Sequence, residues 1–289
     1  MQNNNRNVTV LRWLILLLLS ASPTVRAAQE LPRWEAGLGL GAARGPDYRG
    51  SDQYRNYLLP IPYLIYRGER LRADRRGVRT DLFRGVSTSI NINATIGLPA
   101  SSTRNQARAG MPDLDFTFEA GPSLNIRLYA NEARDRLLSA RLPVRGVVAT
   151  NLSRAQFIGW VFVPHVAYDL FNVGPDRAWH VGLSAGPIFA TNKYHDYYFA
   201  VRPEFATATR PAYDAPGGYS GASVGVTITR RYPGYWVGAF VRYDDLSNVA
   251  FEDSPLVRSR RAVFAGVAIS KIIARSDERV GGEDTEKEP

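Results

Sequence analysis

The chain has 289 residues, with 36 lysines and arginines against 27 aspartates and glutamates, a formal charge of +9, 45% hydrophobic residues and no cysteine. That content suffices for a packed structure and excludes a chain disordered throughout; the missing cysteine excludes disulfide frameworks, thiolate zinc sites, iron–sulfur clusters and a cysteine nucleophile. The basic excess is scattered along the chain rather than clustered, so no nucleic-acid partner is expected.

Residues 1–27 read as a secretory signal. Arg6 and Arg12 precede the apolar run 13–19, small residues follow, and Val25-Arg26-Ala27 is a V-x-A cleavage site. The run is far shorter than the ~20 residues of a spanning helix. Its removal takes away Arg6, Arg12 and Arg26 and no acid, so +9 falls to +6. Export is therefore expected, and no later stretch reaches helix-spanning length without a charge or proline.

The remaining chain alternates with period two. In 34–42 the even positions are Trp34, Ala36, Leu38, Leu40 and Ala42, and the odd ones are polar or glycine. The same phase recurs in Ile90, Ile92, Ala94 and Ile96, and again in Phe116, Phe118, Ala120, Pro122, Leu124, Ile126 and Leu128. Such stretches outrun the ~5–6 residues of an ordinary strand, and their other face is polar. A lipid-facing side against a wet interior is what a membrane barrel strand requires. Further strands are expected over 57–67, 138–149, 158–170, 178–190, 219–231, 235–246 and 260–272, although Pro60 and Pro62 each remove a ladder donor. With 71–82 as one strand the count is eleven; splitting it around Gly77 gives twelve, and bacterial barrels are even.

No useful helical period is present. The expectation is an all-β, antiparallel transmembrane β-barrel of about 10–12 strands, of outer-membrane type, over 28–273, followed by a charged, disordered tail at 274–289. Short turns at 67–70, 83–85 and 232–234 contrast with long polar loops at 98–113, 191–217 and 247–259, which are expected on the outer side. Trp34, Trp160, Trp179 and Trp236 lie near strand starts, as members of interfacial girdles would.

Candidate chemistry is sparse. Gly182-Leu183-Ser184-Ala185-Gly186 matches the nucleophile elbow of hydrolases, but it sits inside an alternating strand with no following helix. His180 lies four residues away on the same face, ~13 Å along a strand and too far for proton transfer. His165, His180 and His195 supply no metal-ligand spacing, and Gly37-x-Gly39-x-x-Ala42 opens no helix. No cofactor, no metal and no enzymatic activity are expected. Two non-catalytic candidates remain. Tyr194, His195, Asp196 and Tyr197 mark loop 191–217 as a plug, rim or partner site, with a plain hairpin cap as the alternative; Glu119, Arg127, Arg141 and Arg145 share the lumen phase.

Gly45-Pro46-Asp47-Tyr48-Arg49-Gly50-Ser51-Asp52, followed by Leu59-Pro60 and Tyr63-Leu64-Ile65-Tyr66-Arg67-Gly68, resembles the N-terminal signature of the MltA-interacting protein family, also called the MipA/OmpV family. The resemblance continues through Asp113-Leu114-Asp115, Gly121-Pro122, Ala185-Gly186-Pro187, Tyr197-Tyr198-Phe199-Ala200-Val201, Gly217-Gly218-Tyr219 and Asp253-Ser254-Pro255-Leu256-Val257. It implies a non-enzymatic barrel of the Gram-negative outer membrane, in contact with lipid and lipopolysaccharide. It also implies a scaffold that brings a murein transglycosylase, a murein hydrolase, together with a penicillin-binding synthase. A narrow pore or small-ligand channel, or a surface adhesin or osmotic-response protein, is the alternative. The chain departs from the family at Ser270-Lys271-Ile272-Ile273, where a terminal aromatic is usual.

Overall fold

The computed structural model describes residues 30–67, 71–74, 77–85 and 87–281. The expected signal at 1–27 and the tail end at 282–289 lie outside the described residues.

The alternating segments form β1 (Glu30–Pro32), β2 (Trp34–Pro46), β3 (Tyr54–Arg67), β4 (Leu71–Asp74), β5 (Gly77–Arg84), β6 (Thr88–Gly97), β7 (Phe116–Ala130) and β8 (Arg136–Thr150). They continue with β9 (Ala155–Phe162), β10 (His165–Val173), β11 (Trp179–Ala190), β12 (Gly218–Arg231), β13 (Tyr235–Asp245), β14 (Arg261–Arg275) and β15 (Arg279–Gly281). All pairings are antiparallel, and β14 returns to β2 with Ile269 opposite Leu40, which closes the barrel. β9 and β10 are one stave interrupted at Val163-Pro164, since both pair with β8 on one side and β11 on the other. Closure therefore takes twelve staves among the described residues, with β4 and β5 as the short pair expected around Gly77.

Side-chain burial is inverted relative to a soluble protein. Leu38, Leu58, Ile96, Leu128, Val226 and Ile269 are exposed on the outside, while Ser89, Asn91, Ser123, Asn125 and Ser139 are buried inside. Large apolar side chains around the whole exterior need lipid against them. Exposed aromatics mark both rims: Trp34, Phe83, Tyr129 and Tyr235 at one end, Phe116, Phe157, Trp160 and Tyr243 at the other. Trp236 departs from the expected girdle. It pairs with Arg231 on the inward phase and packs against Tyr63, ring centroids 6.3 Å apart, because Val237, Ala239 and Val241 hold the outward positions of β13.

One end carries the connections 47–53, 98–115, 151–154, 191–217 and 246–260; the other carries 131–135, 174–178 and 232–234, with Gly85 and Ser87 at the same end. We call them the loop end and the turn end. The loops fold together over the barrel around buried Tyr48, Leu114, Phe199, Leu246, Phe251 and Leu256. Within that cap lies α1 (Asn192–Phe199), a helix where none was expected. Gly159 makes room for it. Its φ of +122° belongs to a bulge in β9, and a Cβ there would lie 2.9 Å from the Tyr194 amide nitrogen.

At the turn end, residues 274–281 of the segment expected as a disordered tail take part in strand pairing. β14 runs through Arg275, opposite Glu35, and Arg279–Gly281 pairs with Glu30–Pro32. The polar segment 274–281 finds its backbone partners in the N-terminal residues: the Ser276 amide donates to the Trp34 carbonyl, and the Arg33 amide to the Glu278 carbonyl, both at 2.9 Å.

Candidate functional site: the barrel lumen

The lumen is built from the inward phase of each stave, and its charges lie in three tiers. At the turn end Glu35 is fully buried and accepts from Arg67 Nη2 at 3.2 Å and from Arg231 Nε at 3.1 Å, with Arg231 Nη2 on its other oxygen. Two guanidinium groups from β3 and β12 thus converge on one carboxylate from β2, which makes the buried charge tolerable.

The middle tier contains three of the four lumen residues expected from the alternation. Arg145 Nε donates to Glu119 Oε2 at 2.9 Å between β8 and β7. Arg141 Nη2 donates to Asp169 Oδ2 at 2.7 Å, and the other oxygen of Asp169 lies 3.0 Å from His180 Nε2. Phe171 stacks on that imidazole at 4.4 Å between centroids. Arg127 stands apart, nearer the turn end of β7, and its buried Nε has no partner among the described residues. The alternation within β10 and β2 also puts Asp169 and Glu35 on the inward phase, though neither is among the charges expected in the lumen.

A cavity of about 280 Å3 opens between β6, β7, β8 and β10, lined by Asn93, Ser123, Asn125, Arg141, Arg145 and His165 among others. Its walls donate and accept hydrogen bonds at many points, which suits a small oxygen-rich ligand. Ser184 and His180 face inward four residues apart on β11, and the His180 imidazole is held by Asp169. His165 lies opposite the Gly186 end of β11, far along β10 from His180, and among the described residues no group of three metal-ligating side chains exists.

The loop tier seals the other end. Arg49 Nε donates to Asp244 at 2.8 Å, Arg242 donates to the same carboxylate, and Asn105 and Arg55 hold Asp47. The four expected loop residues are all engaged inside the cap. Burial pushes the Tyr194 hydroxyl up to about 12, with the charge of Glu119 adding to it. His195 Nδ1 donates to the Pro216 carbonyl at 2.7 Å. Asp196 accepts from the Ala215 amide at 3.1 Å, and the Tyr197 hydroxyl accepts from the Asp115 amide at 2.8 Å. Side chains therefore fill the lumen at both ends and leave it hollow in the middle.

Three solved structures share a general likeness. They are a bacterial polysaccharide outer membrane secretin (9% identity, 83% of this chain and 99% of that one, TM-score 0.38), the CymD monoaromatic hydrocarbon channel (10%, 84% and 89%, 0.33) and outer membrane phospholipase A from Escherichia coli (11%, 89% and 96%, 0.34). No functional reading rests on likenesses this distant. No curated protein sequence matches the chain. The model of the family described as MltA-interacting protein MipA matches residues 38–272, from the lumen glycines of β2 almost to the end of β14, and the chain belongs to that family.

Proposed function

We propose that this barrel is an outer-membrane anchor that docks peptidoglycan-remodelling enzymes, a murein transglycosylase together with a penicillin-binding synthase, on its periplasmic turn end. The observation that carries the reading is the closed turn end. Glu35, Arg67 and Arg231 fill the lumen there, and β1 and β15 add an ordered strand pair outside it. A barrel sealed in this way presents a surface rather than a mouth. The family's description, MltA-interacting protein, supports a murein hydrolase as the partner. The apolar exterior between two aromatic rims supports contact with lipid and lipopolysaccharide in the outer membrane.

The test is capture of a purified murein transglycosylase by the detergent-solubilised barrel. Replacing 131–135, 174–178 and 232–234 with Gly/Ser turns is expected to abolish capture while the barrel still folds; undiminished capture sinks the proposal. A second reading, a narrow pore or small-ligand channel, draws on the middle cavity. Steady conductance across a planar bilayer supports the pore, and silence removes it.

A further inference from the structure

We propose that the outward face of β2, β3 and β14 at the loop end is a binding site for lipid A, the phosphorylated glycolipid of the outer leaflet, with Arg44 as its phosphate anchor. The inference rests on the proposed orientation, in which the turn end is periplasmic and the loops face outward, and it narrows a general contact with lipopolysaccharide to one place on the barrel.

Arg44 points to the bilayer side of the wall. The outward phase of β2 runs Leu38, Leu40, Ala42, Arg44, and the ladders set Arg44 between Ala265 of β14 and Asn56 of β3. The next outward row toward the turn end is Val267, Ala42 and Leu58, and the row after it is Ile269, Leu40 and Pro60. Val267, Leu58, Ile269 and Leu40 are all exposed, and the small Ala42 between Val267 and Leu58 leaves a shallow apolar channel that leads to the arginine. Four residues beyond Leu40, ~13 Å along the strand, the guanidinium stands where acyl chains give way to headgroups. Tyr54, opposite Pro46, and Tyr243, opposite Val263, are exposed aromatics at the same height.

The arginine is held in place, and not by an acid. Its Nη1 donates to Asn56 Oδ1 at 3.0 Å, and the guanidinium carbon lies 5.7 Å from the centre of the Tyr54 ring. Tyr54 is itself pinned, because its hydroxyl accepts from the Val263 amide at 3.1 Å, past the last β14–β2 pair at Ala265 and Arg44. That ring reaches from β3 across the end of β2 to β14 and forms a platform for the cation. Among the described residues Arg44 Nε and Nη2 have no partner and no carboxylate pairs with the group. The lumen arginines differ: Arg49, Arg67, Arg141, Arg145 and Arg231 each meet an aspartate or glutamate. A guanidinium tied down by a neutral amide and an aromatic face keeps its charge and most of its donor fork for a ligand, and that fork matches phosphate oxygens.

Arg261 supplies a second cation on the same face. It is exposed on the outward phase of β14, two residues beyond Val263, and stands opposite Asp245, whose carboxylate accepts from the Ser247 amide at 2.8 Å. Two outward arginines on neighbouring staves, above one apolar channel, match a headgroup that carries two phosphates over several acyl chains. A phospholipid with a single phosphate would engage only one of them.

The test titrates bisphosphoryl lipid A into the detergent-solubilised barrel, freed of lipopolysaccharide, and reads bound lipid by native mass spectrometry. One tightly held lipid A is expected, weakened when its phosphates are removed. Arg44→Gln is expected to weaken binding roughly tenfold, about 1.4 kcal/mol. Asn56→Asp, which sets a carboxylate against Arg44 at nearly unchanged shape, is expected to act in the same direction, and Lys271→Gln, on the outward phase at the turn end, to change nothing. Heat-dependent gel migration shows that each variant is folded; with two independent exposed substitutions, failure of one to fold leaves the other as the test. Binding indifferent to Arg44→Gln and Asn56→Asp, or weakened equally by Lys271→Gln, overturns the proposal. Displacement of lipid A by an equal concentration of phosphatidylglycerol overturns the assignment to the glycolipid. Orientation has its own readout. The chain has no cysteine, so Leu152→Cys, at a position 94% exposed in 151–154, offers a single thiol to a membrane-impermeant maleimide on intact cells. Labelling of intact cells together with failed lipid A binding sinks this site alone; labelling only of broken cells sinks the proposed orientation and the site with it.

Discussion

The His195 ring stands edge-on to Phe251 with centroids 4.4 Å apart, fully buried, and its Nδ1 donates to the Pro216 carbonyl. Its buried Nε2 has no partner among the described residues. A proton there would place a cation among Phe199, Phe251 and Tyr194, with the Arg49 charge nearby, so burial first, then Arg49, hold the imidazole below its usual 6.5, against the pull of the Pro216 carbonyl. The closed cap consequently binds fewer protons than an opened one. Its stability is complete above about pH 6.5 and drains away as the pH falls from there toward the lowered value, by up to ~1.4 kcal/mol per pH unit. The protection factors of the amides in 192–217, corrected for the intrinsic pH dependence of exchange, are expected to fall below pH 6.5, and His195→Gln to flatten that dependence. Protection factors that ignore pH from about 7.5 to about 5 would contradict it.

Trp236 gives a second prediction, because lumen and girdle positions answer differently to lipid. With its indole against Tyr63 and over Gly238, it is shielded from the bilayer, whereas Trp160 is 48% exposed on the outer face. In single-tryptophan variants, brominated lipid is expected to quench Trp160 and to spare Trp236. Trp236→Ala leaves a hole in the turn-end packing and is expected to cost about 3–5 kcal/mol in urea unfolding. Equal quenching of the two would return Trp236 to the girdle.

Trp236 also shows what period two can and cannot disclose. Its inward phase was already written in Val237, Ala239 and Val241, and nearness to a strand start was the weaker guide. The same alternation placed Glu119 and Arg145 inside, and it located the short pair around Gly77 that makes the staves even. It was silent on α1, whose eight residues are too few for a period; the only trace is the four-residue spacing of His195 with Phe199 and of Tyr194 with Tyr198. The bond from Arg141 to Asp169 was also hidden, because it depends on β10 following β9 past Pro164 to pair with β8. Cap packing from four separate loops leaves no local signature at all.

Glu35 is the third test. Replacing it by alanine strands Arg67, whose side chain is 5% exposed, and Arg231 without their shared anion. An uncompensated buried charge costs about 3–5 kcal/mol, far above an exposed pair. Glu35→Ala is expected to lose that much stability, and Glu35→Ala with Arg67→Leu to regain part of it. A double variant no more stable than the single one would mean that Arg67 finds another acceptor or water.

The strand pair at the turn end separates stability from docking. Arg33 and Glu278 approach to 2.7 Å, but their side chains are 39% and 60% exposed, so solvent screens the ion pair and it adds little to stability. β1 and β15 share only three residue pairs, whereas β14 and β2 hold the closure through ten. Ending the chain after Arg275 is therefore expected to leave the barrel closed and its unfolding midpoint nearly unchanged, while removing ordered surface at the proposed docking end. Weaker capture of a murein transglycosylase by this truncated barrel, with Glu278→Ala close to the full chain, is the expected pattern, because the backbone pairing rather than the ion pair keeps that surface in place. Unaltered capture after truncation would shift the docking surface to the turns 131–135, 174–178 and 232–234; a truncated barrel that fails to close would mean that β15 carries a share of stability its three pairs do not suggest.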